Sequence, residues 1–273
     1  FLGDEVLFDF ANRIMQGLAI VRAEELGEQP HAVLVYDKQS QAGGKVGTGS
    51  FHRKWTRNGR PVSVIDLGEL RRGLAAVNPL RGEPARLGEE HKGRTRRRIQ
   101  YMLFSDMKNF SRLQEEHSPE FVRRFLRAVD RLLKASERPP VFCNTWGDAL
   151  FLVFDDPVDC AEFALSLLER IERIDWARYQ LPSDLAMRIG IHAGPVYRRM
   201  NPVLGKSDVF GSHVNHAARI EPVATPGSAF VTEHFAADLA LDPDDRFVCE
   251  YMGIQELAKR YGRAALYRLD RRA

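Results

Sequence analysis

IQYMLFSDM (99–107) is apolar at almost every position until it reaches Ser105 and Asp106. A short unbroken apolar run reads as a strand covered on both faces. Outward from it the chain alternates in kind. SPEFVRRFLRAVDRLLKASE (118–137) carries apolar residues at helical spacing, with Ser118 as the predicted N-cap and Glu120 in the first turn. PVFCNTWGDALFLVFD (140–155) reads as a hairpin turning at Trp146-Gly147-Asp148, and DPVDCAEFALSLLERIERI (156–174) as a second amphipathic helix. LAMRIGIHAGPV (185–196) is a further strand, GSHVNHAARIE (211–221) is helical, and SAFVTE (228–233), FVCEYMG (247–253) and AALYRLD (264–270) complete the sheet. This order predicts an α+β architecture, a sheet with helices packed on one face.

Upstream the character differs. Residues 1–75 read as a small α/β segment: helical spacing from Glu5 to Glu25, a strand at 31–37, a glycine-rich stretch QAGGKVGTGS (41–50), a short helix at 51–59 and a strand at 61–67. Strand, glycine loop, helix, strand is a βαβ unit and predicts parallel pairing. The glycine loop either binds phosphate at a helix N-terminus or is a plain connection; it matches neither GxGxxG nor the P-loop. Two strands are too few for a complete doubly wound domain, so the segment is read as part of a Rossmann-like module. Residues 76–98, rich in Pro, Gly and charge and ending in GRTRRR, have linker composition, and the region from 99 to 273 forms the second domain.

The 273 residues carry a formal charge of only +3, which argues for no nucleic-acid partner. No run is long and apolar enough for a membrane span, so no membrane is expected in this segment. Cys143, Cys160 and Cys249 lie far apart without a CxxC pair, and are read as reduced core thiols of a cytosolic protein. The chain begins at Phe1 and is read as a piece of a longer protein, with a sensor upstream.

Asp106 closes an apolar strand and Asp148 sits at a hairpin tip. Two acids at neighbouring strand ends can hold a pair of Mg²⁺ ions, which take oxygen ligands and substrate phosphates. An aspartate that merely caps a turn explains each of them equally well.

FSDMKNFSRL (104–113), NTWGDALFLVF (144–154), MRIGIHAGPV (187–196), SDVFGSHVNHAARIE (207–221) and PGSAFVTE (226–233) resemble, in order and spacing, the motifs of the class III adenylate/guanylate cyclase catalytic domain. The resemblance covers about residues 98–270 and implies that family's palm-like sheet. It implies that Asp106, Asp148 and the backbone carbonyl of Met107 bind two Mg²⁺ (or Mn²⁺). The backbone amides of Phe110 and Ser111 would face the triphosphate, at a helix N-terminus. Asn215 would orient the ribose and Arg219 would stabilise charge on the α-phosphate. The two lie four apart in a helical segment and would face the same way. The family's Leu-Lys-Gly becomes Leu257-Ala258-Lys259-Arg260, which leaves Lys259, the expected β,γ-phosphate ligand, one residue displaced.

The implied reaction joins the ribose 3′-hydroxyl of a nucleoside triphosphate to its α-phosphorus, releasing pyrophosphate. It would run in a homodimer whose sites take the aspartates from one subunit and Asn215 and Arg219 from the other. Base choice in the family rests on two positions, here Asn144 and Asp208. Asp208 accepts from the amine of adenine and equally from cytosine N4, and disfavours guanine O6; Asn144 both donates and accepts. ATP is the expected substrate, with a pyrimidine triphosphate as alternative. A domain that binds nucleotide without turning it over is a second alternative. A diguanylate cyclase is not expected, because the hairpin lacks that family's Gly-Gly-acidic-acidic signature. His213 and His216, i and i+3, are read as packing or surface residues rather than metal ligands, and His192 as a core histidine.

Overall fold

A computed structural model describes residues 5–39, 47–73 and 97–272. The chain divides into two compact units, Phe1–Arg96 and Arg97–Ala273. Most of the glycine-rich stretch at 41–50 and of the linker at 76–98 lies outside the described residues.

In the first unit, α1 (Glu5–Leu26) precedes β1 (Ala32–Tyr36), α2 (Thr48–Arg57), β2 (Val62–Asp66) and α3 (Leu67–Gly73). The two strands pair in parallel, from Ala32↔Val62 to Tyr36↔Asp66, as the βαβ reading predicts. Trp55 anchors α2: it is buried and its indole N–H donates to the Pro61 carbonyl at 2.8 Å.

The second unit is built on β3 (Arg97–Lys108), followed by α4 (Ser118–Ala135), β4 (Phe142–Trp146), β5 (Ala149–Phe154), α5 (Pro157–Glu172), β6 (Ala186–Asn201), β7 (Lys206–Phe210), α6 (Ser212–Ala217), β8 (Ala229–Thr232), α7 (Glu233–Leu239), β9 (Phe247–Glu256) and β10 (Arg263–Arg271). The sheet runs β4-β5-β3-β6-β8-β10-β9, with β7 paired to β6. Only β6–β8 is parallel among these pairs. β3 is central, as its apolar run predicts, and Tyr101, Met102 and Leu103 are buried.

Alternation along β3 and β6 separates two faces. On one, Tyr101 pairs with Ala193 and Leu103 with Ile191; the Tyr101 hydroxyl donates to Asp238 Oδ2 of α7 at 2.6 Å, and α5 packs across β3, β5 and β6. Leu167 of α5 is fully buried, and truncating such a leucine costs about 2–5 kcal/mol. On the other face, Met102 pairs with His192, Phe104 with Gly190 and Asp106 with Arg188. Here α6 and the turn Glu221–Val223 lie directly on β6. A Cβ on Gly190 would stand 2.8 Å from Glu221 Cα and 2.9 Å from the Ile220 carbonyl carbon.

Four local expectations need correction. Ser118 is the first residue of α4 rather than its cap, and the preceding His117 makes no side-chain cap bond. The segment 211–221 is α-helical only to Ala217; Arg219 N bonds to the His216 carbonyl and Ile220 N to the Ala217 carbonyl, a tighter 3-10 winding. β7 and α7 are additional elements. Of the three free cysteines only Cys160 is a core thiol; Cys143 is exposed and Cys249 partly so.

Candidate active site

The register carries Asp106 and Asp148 together. Ser105 pairs with Leu150 at the end of β5, so the turn Gly147-Asp148 falls beside the last residues of β3. Gly147 takes φ 60, which lets the hairpin reverse within two residues. Asp148 Oδ2 accepts from the Met107 amide at 3.4 Å. Burial, reinforced by the adjacent Asp106 carboxyl, raises the Asp148 pKa to about 7. Two carboxylates that share a partly buried corner cannot both ionise at low cost. A divalent cation removes that cost, and the donors present, carboxylate oxygens beside a strand end, are those Mg²⁺ or Mn²⁺ takes. The residues fit such a group.

Arg188 is the cation of this corner. Its guanidinium donates to Asp106 Oδ2 at 3.0 Å and lies 3.0 Å from Glu221 Oε1. Burial pushes Glu221 up to about 7, against the pull of Arg188. Sequence reading missed both residues. The only signal available was that Arg188, Gly190 and His192 alternate on one strand face, which places Arg188 opposite whatever β3 offers.

The remaining predicted residues fall nearby in groups. Phe110 opens a 3-10 turn, Phe110–Arg112, not the helix N-terminus expected; its ring packs on Phe121 at 4.8 Å and beside Gly147. The peptide N–H groups of Phe110 and Ser111 head that turn, where the turn's own bonds leave them unused. Asn144 lies on β4 and Asp208 on β7, strands that approach each other. Asp208 already accepts from Asn201 Nδ2 at 2.9 Å and from the Val209 amide at 2.8 Å. Asn215 is exposed on α6. Arg219 lies past the helix end, with Nε buried and without a hydrogen-bond partner among the described residues. Its carbonyl accepts from the Ala258 amide at 3.4 Å, which ties it to the β9–β10 loop. Lys259 sits exposed in that loop with left-handed backbone, φ 58. Among the described residues, no hydrogen bond or ion pair joins Lys259, Asn215 or the Asn144/Asp208 pair to the two aspartates.

The family model for the adenylate and guanylate cyclase catalytic domain matches residues 97–270, from the start of β3 to within one residue of the end of β10. The chain belongs to this family. The pH-sensitive adenylate cyclase MT1302 of Mycobacterium tuberculosis is 30% identical over 174 residues, covering 63% of this chain and 41% of the relative. An adenylate cyclase of Streptomyces griseus is 32% identical over 140 residues, 50% of this chain and 31% of the relative. The chain thus spans less than half the length of these relatives. Among solved structures, the adenylyl cyclase CyaB from P. aeruginosa superposes with a TM-score of 0.56 at 16% identity, over 65% of this chain and 96% of that one. A Trypanosoma brucei adenylate cyclase superposes at 0.53 with 22% identity, over 63% and 89%. These two likenesses establish the cyclase fold. Among the described residues, no helix is long and apolar enough to cross a membrane.

Proposed function

We propose that this protein is an active nucleotidyl cyclase. It converts a nucleoside triphosphate, ATP preferred, to the 3′,5′-cyclic nucleotide and pyrophosphate. The observation that carries the reading is the pairing of Asp106 and Asp148 around the Met107 amide, in a chain of the cyclase family. Those carboxylates and the Met107 carbonyl would hold two Mg²⁺ (or Mn²⁺) ions, which would neutralise the triphosphate and acidify the ribose 3′-hydroxyl.

The chain's own groups do the rest. The amides of Phe110 and Ser111 receive triphosphate oxygens. Arg219 faces the α-phosphate, where negative charge grows as the 3′-oxygen attacks; a guanidinium stays charged and binds two oxygens at once. Its buried, unsatisfied Nε supports this, because such a donor is satisfied by an anion. Asn215 orients the ribose so that the hydroxyl lies in line with the departing pyrophosphate. Lys259 takes the β- and γ-phosphates after its loop closes on them. Asp208 reads an exocyclic amine: each carboxylate oxygen accepts one protein donor and retains a further lone pair. Asn144 lines the same base site.

The working form is a homodimer that shares these residues between subunits. The β6–β7 hairpin supports this by exposing Met200, Val203, Leu204 and Phe210, an apolar surface that a second copy would cover. An upstream sensor in the full-length protein would act by setting that pairing.

Incubation with each of the four triphosphates and Mg²⁺ or Mn²⁺, with products separated by chromatography, tests the reading. ATP should give the most cyclic product. CTP as the best substrate would keep the amine-reading role of Asp208 and change the base. Thermal stabilisation by triphosphate with no pyrophosphate released, in a protein shown to be dimeric, would identify a silent nucleotide-binding domain instead.

A further inference from the structure

His192 on β6, His213 on α6 and His234 on α7 come from three separate elements, yet each turns one ring nitrogen to within 4.8 Å of the other two. His192 Nε2 is 2.8 Å from His213 Nδ1. The backbone makes room for this approach. A Cβ on Gly194 would lie 2.8 Å from Cε1 of His213, and nearer still to Nδ1 and Cγ, so His213 reaches His192 only because residue 194 has no side chain. His216 stacks on His192 with centroids 4.5 Å apart but lies outside the converging triad.

The rings are also held from behind. His192 Nδ1 bonds to Thr232 Oγ1 at 2.9 Å, and the His234 ring bonds to the Ala193 carbonyl. When Nδ1 of His192 donates to Thr232, Nε2 presents a lone pair to the cluster. Such outer bonds fix tautomer and orientation in metal-binding histidines. Burial, then mutual repulsion, lowers the His213 pKa to about 4, and His192, His216 and His234 are lowered too. The rings are therefore neutral at physiological pH, the form that ligates.

We propose that His192, His213 and His234 form a tris-imidazole site for a divalent transition metal of the zinc class, separate from the carboxylate pair at Asp106 and Asp148. Imidazole nitrogen suits Zn²⁺, Co²⁺ or Ni²⁺, whereas Mg²⁺ prefers oxygen, so the two sites select different ions. Three protein ligands leave a fourth position for water. Metal–nitrogen distances of about 2.0–2.1 Å in a tetrahedral site put the nitrogens roughly 3.3 Å apart. The 2.8 Å contact opens slightly and the longer separations close by ring rotation. Occupancy clamps α6 to β6 and α7. Asn215 rides on α6 and Arg219 follows it, so a bound ion steadies the helix that leads to both.

Cobalt is the probe. The full chain, stripped of metal and carrying Asp106→Asn and Asp148→Asn to remove the carboxylate pair, is titrated with Co²⁺ alone. The visible bands of tetrahedral cobalt should saturate at one equivalent per chain. His213→Ala and His234→Ala should each weaken binding by more than about 100-fold, since even the partners behind a ligand are worth about 10–100-fold. His216→Ala should leave affinity within about threefold, as a stacked neighbour that donates no ligand atom. X-ray absorption on the Zn²⁺-loaded chain reads the ligand count with the triad unmutated, so the result does not depend on the alanine variants folding: three imidazoles are expected. No cobalt bands in folded protein, affinity indifferent to His213 and His234, or one imidazole or none at the zinc would overturn the proposal.

Discussion

Gly190→Ala places one methyl group between β6 and the turn that follows Arg219. Its Cβ would stand 2.8 Å from Glu221 Cα and 2.9 Å from the Ile220 carbonyl carbon, and would press harder on Glu221 N. All three are backbone atoms, so no side chain can rotate away. Carbon contacts are comfortable at about 3.5–4.0 Å, so the turn must retreat by more than about half an ångström. Overpacking of this kind costs about 1–3 kcal/mol. For a unit of this size each kcal/mol lowers Tm by about 2–4 °C, which gives a fall of about 2–12 °C. The effect on turnover should be larger than the effect on folding. Arg219 precedes the displaced residues, and a misplacement near 1 Å can cost about 100-fold. Melting followed by circular dichroism and kcat/KM from cyclic-product formation, on the same preparation, measure both. An unchanged Tm with kcat/KM within about twofold of wild type would refute the claim that this turn positions Arg219.

Other expectations are as direct. Asp148 has a folded pKa of about 7 against an ordinary value of 3.8, so the folded metal-free protein holds a proton that the unfolded chain has lost. Its contribution to stability is full at low pH and is lost as pH rises from about 4 to 7; denaturant melts of wild type and Asp148→Asn should diverge with that sign, and Mg²⁺ should shrink the difference. His213 titrates the opposite way: its folded pKa of about 4 lies below 6.5, so stability is lost as pH falls between those values, and His213→Ala should remove that loss in the same melts. Tyr101→Phe takes the donor from a buried carboxylate of α7, at a cost of about 1–3 kcal/mol; Tm should fall while kcat/KM holds, since the pair lies on the sheet face away from Asp106.

Most of the sheet was legible because its strands either carry a dense apolar run, like Tyr101–Phe104 of β3 and all of β5, or are bounded by turn residues, like the Gly147 hairpin. The elements that escaped lack periodicity for physical reasons. β7, KSDVF, is a polar strand with one buried residue, Val209, and α7, EHFAADL, is buried on almost every side. A helix covered all round has no polar stripe to read. Of the site, the aspartates were legible as strand-end and hairpin-tip acids. Their neighbours Arg188 and Glu221 were not, because only the β3–β6 register and the close approach at Gly190 bring them in. The histidine triad escaped similarly. Local spacing relates His213 to His216, whereas the converging nitrogens belong to residues on three elements.

The claim at the centre of this account is a composite site that takes Asp106 and Asp148 from one subunit and Asn215 and Arg219 from the other. Asp106→Ala and Arg219→Ala are each expected to give no cyclic nucleotide from ATP under conditions where wild type does. Mixed in equal amounts after subunit exchange, verified by energy transfer between labelled chains, half the dimers pair one of each, and each such dimer holds one intact site of two. Cyclic product should return to about a quarter of the wild-type rate. No recovery despite demonstrated exchange would contradict the shared site.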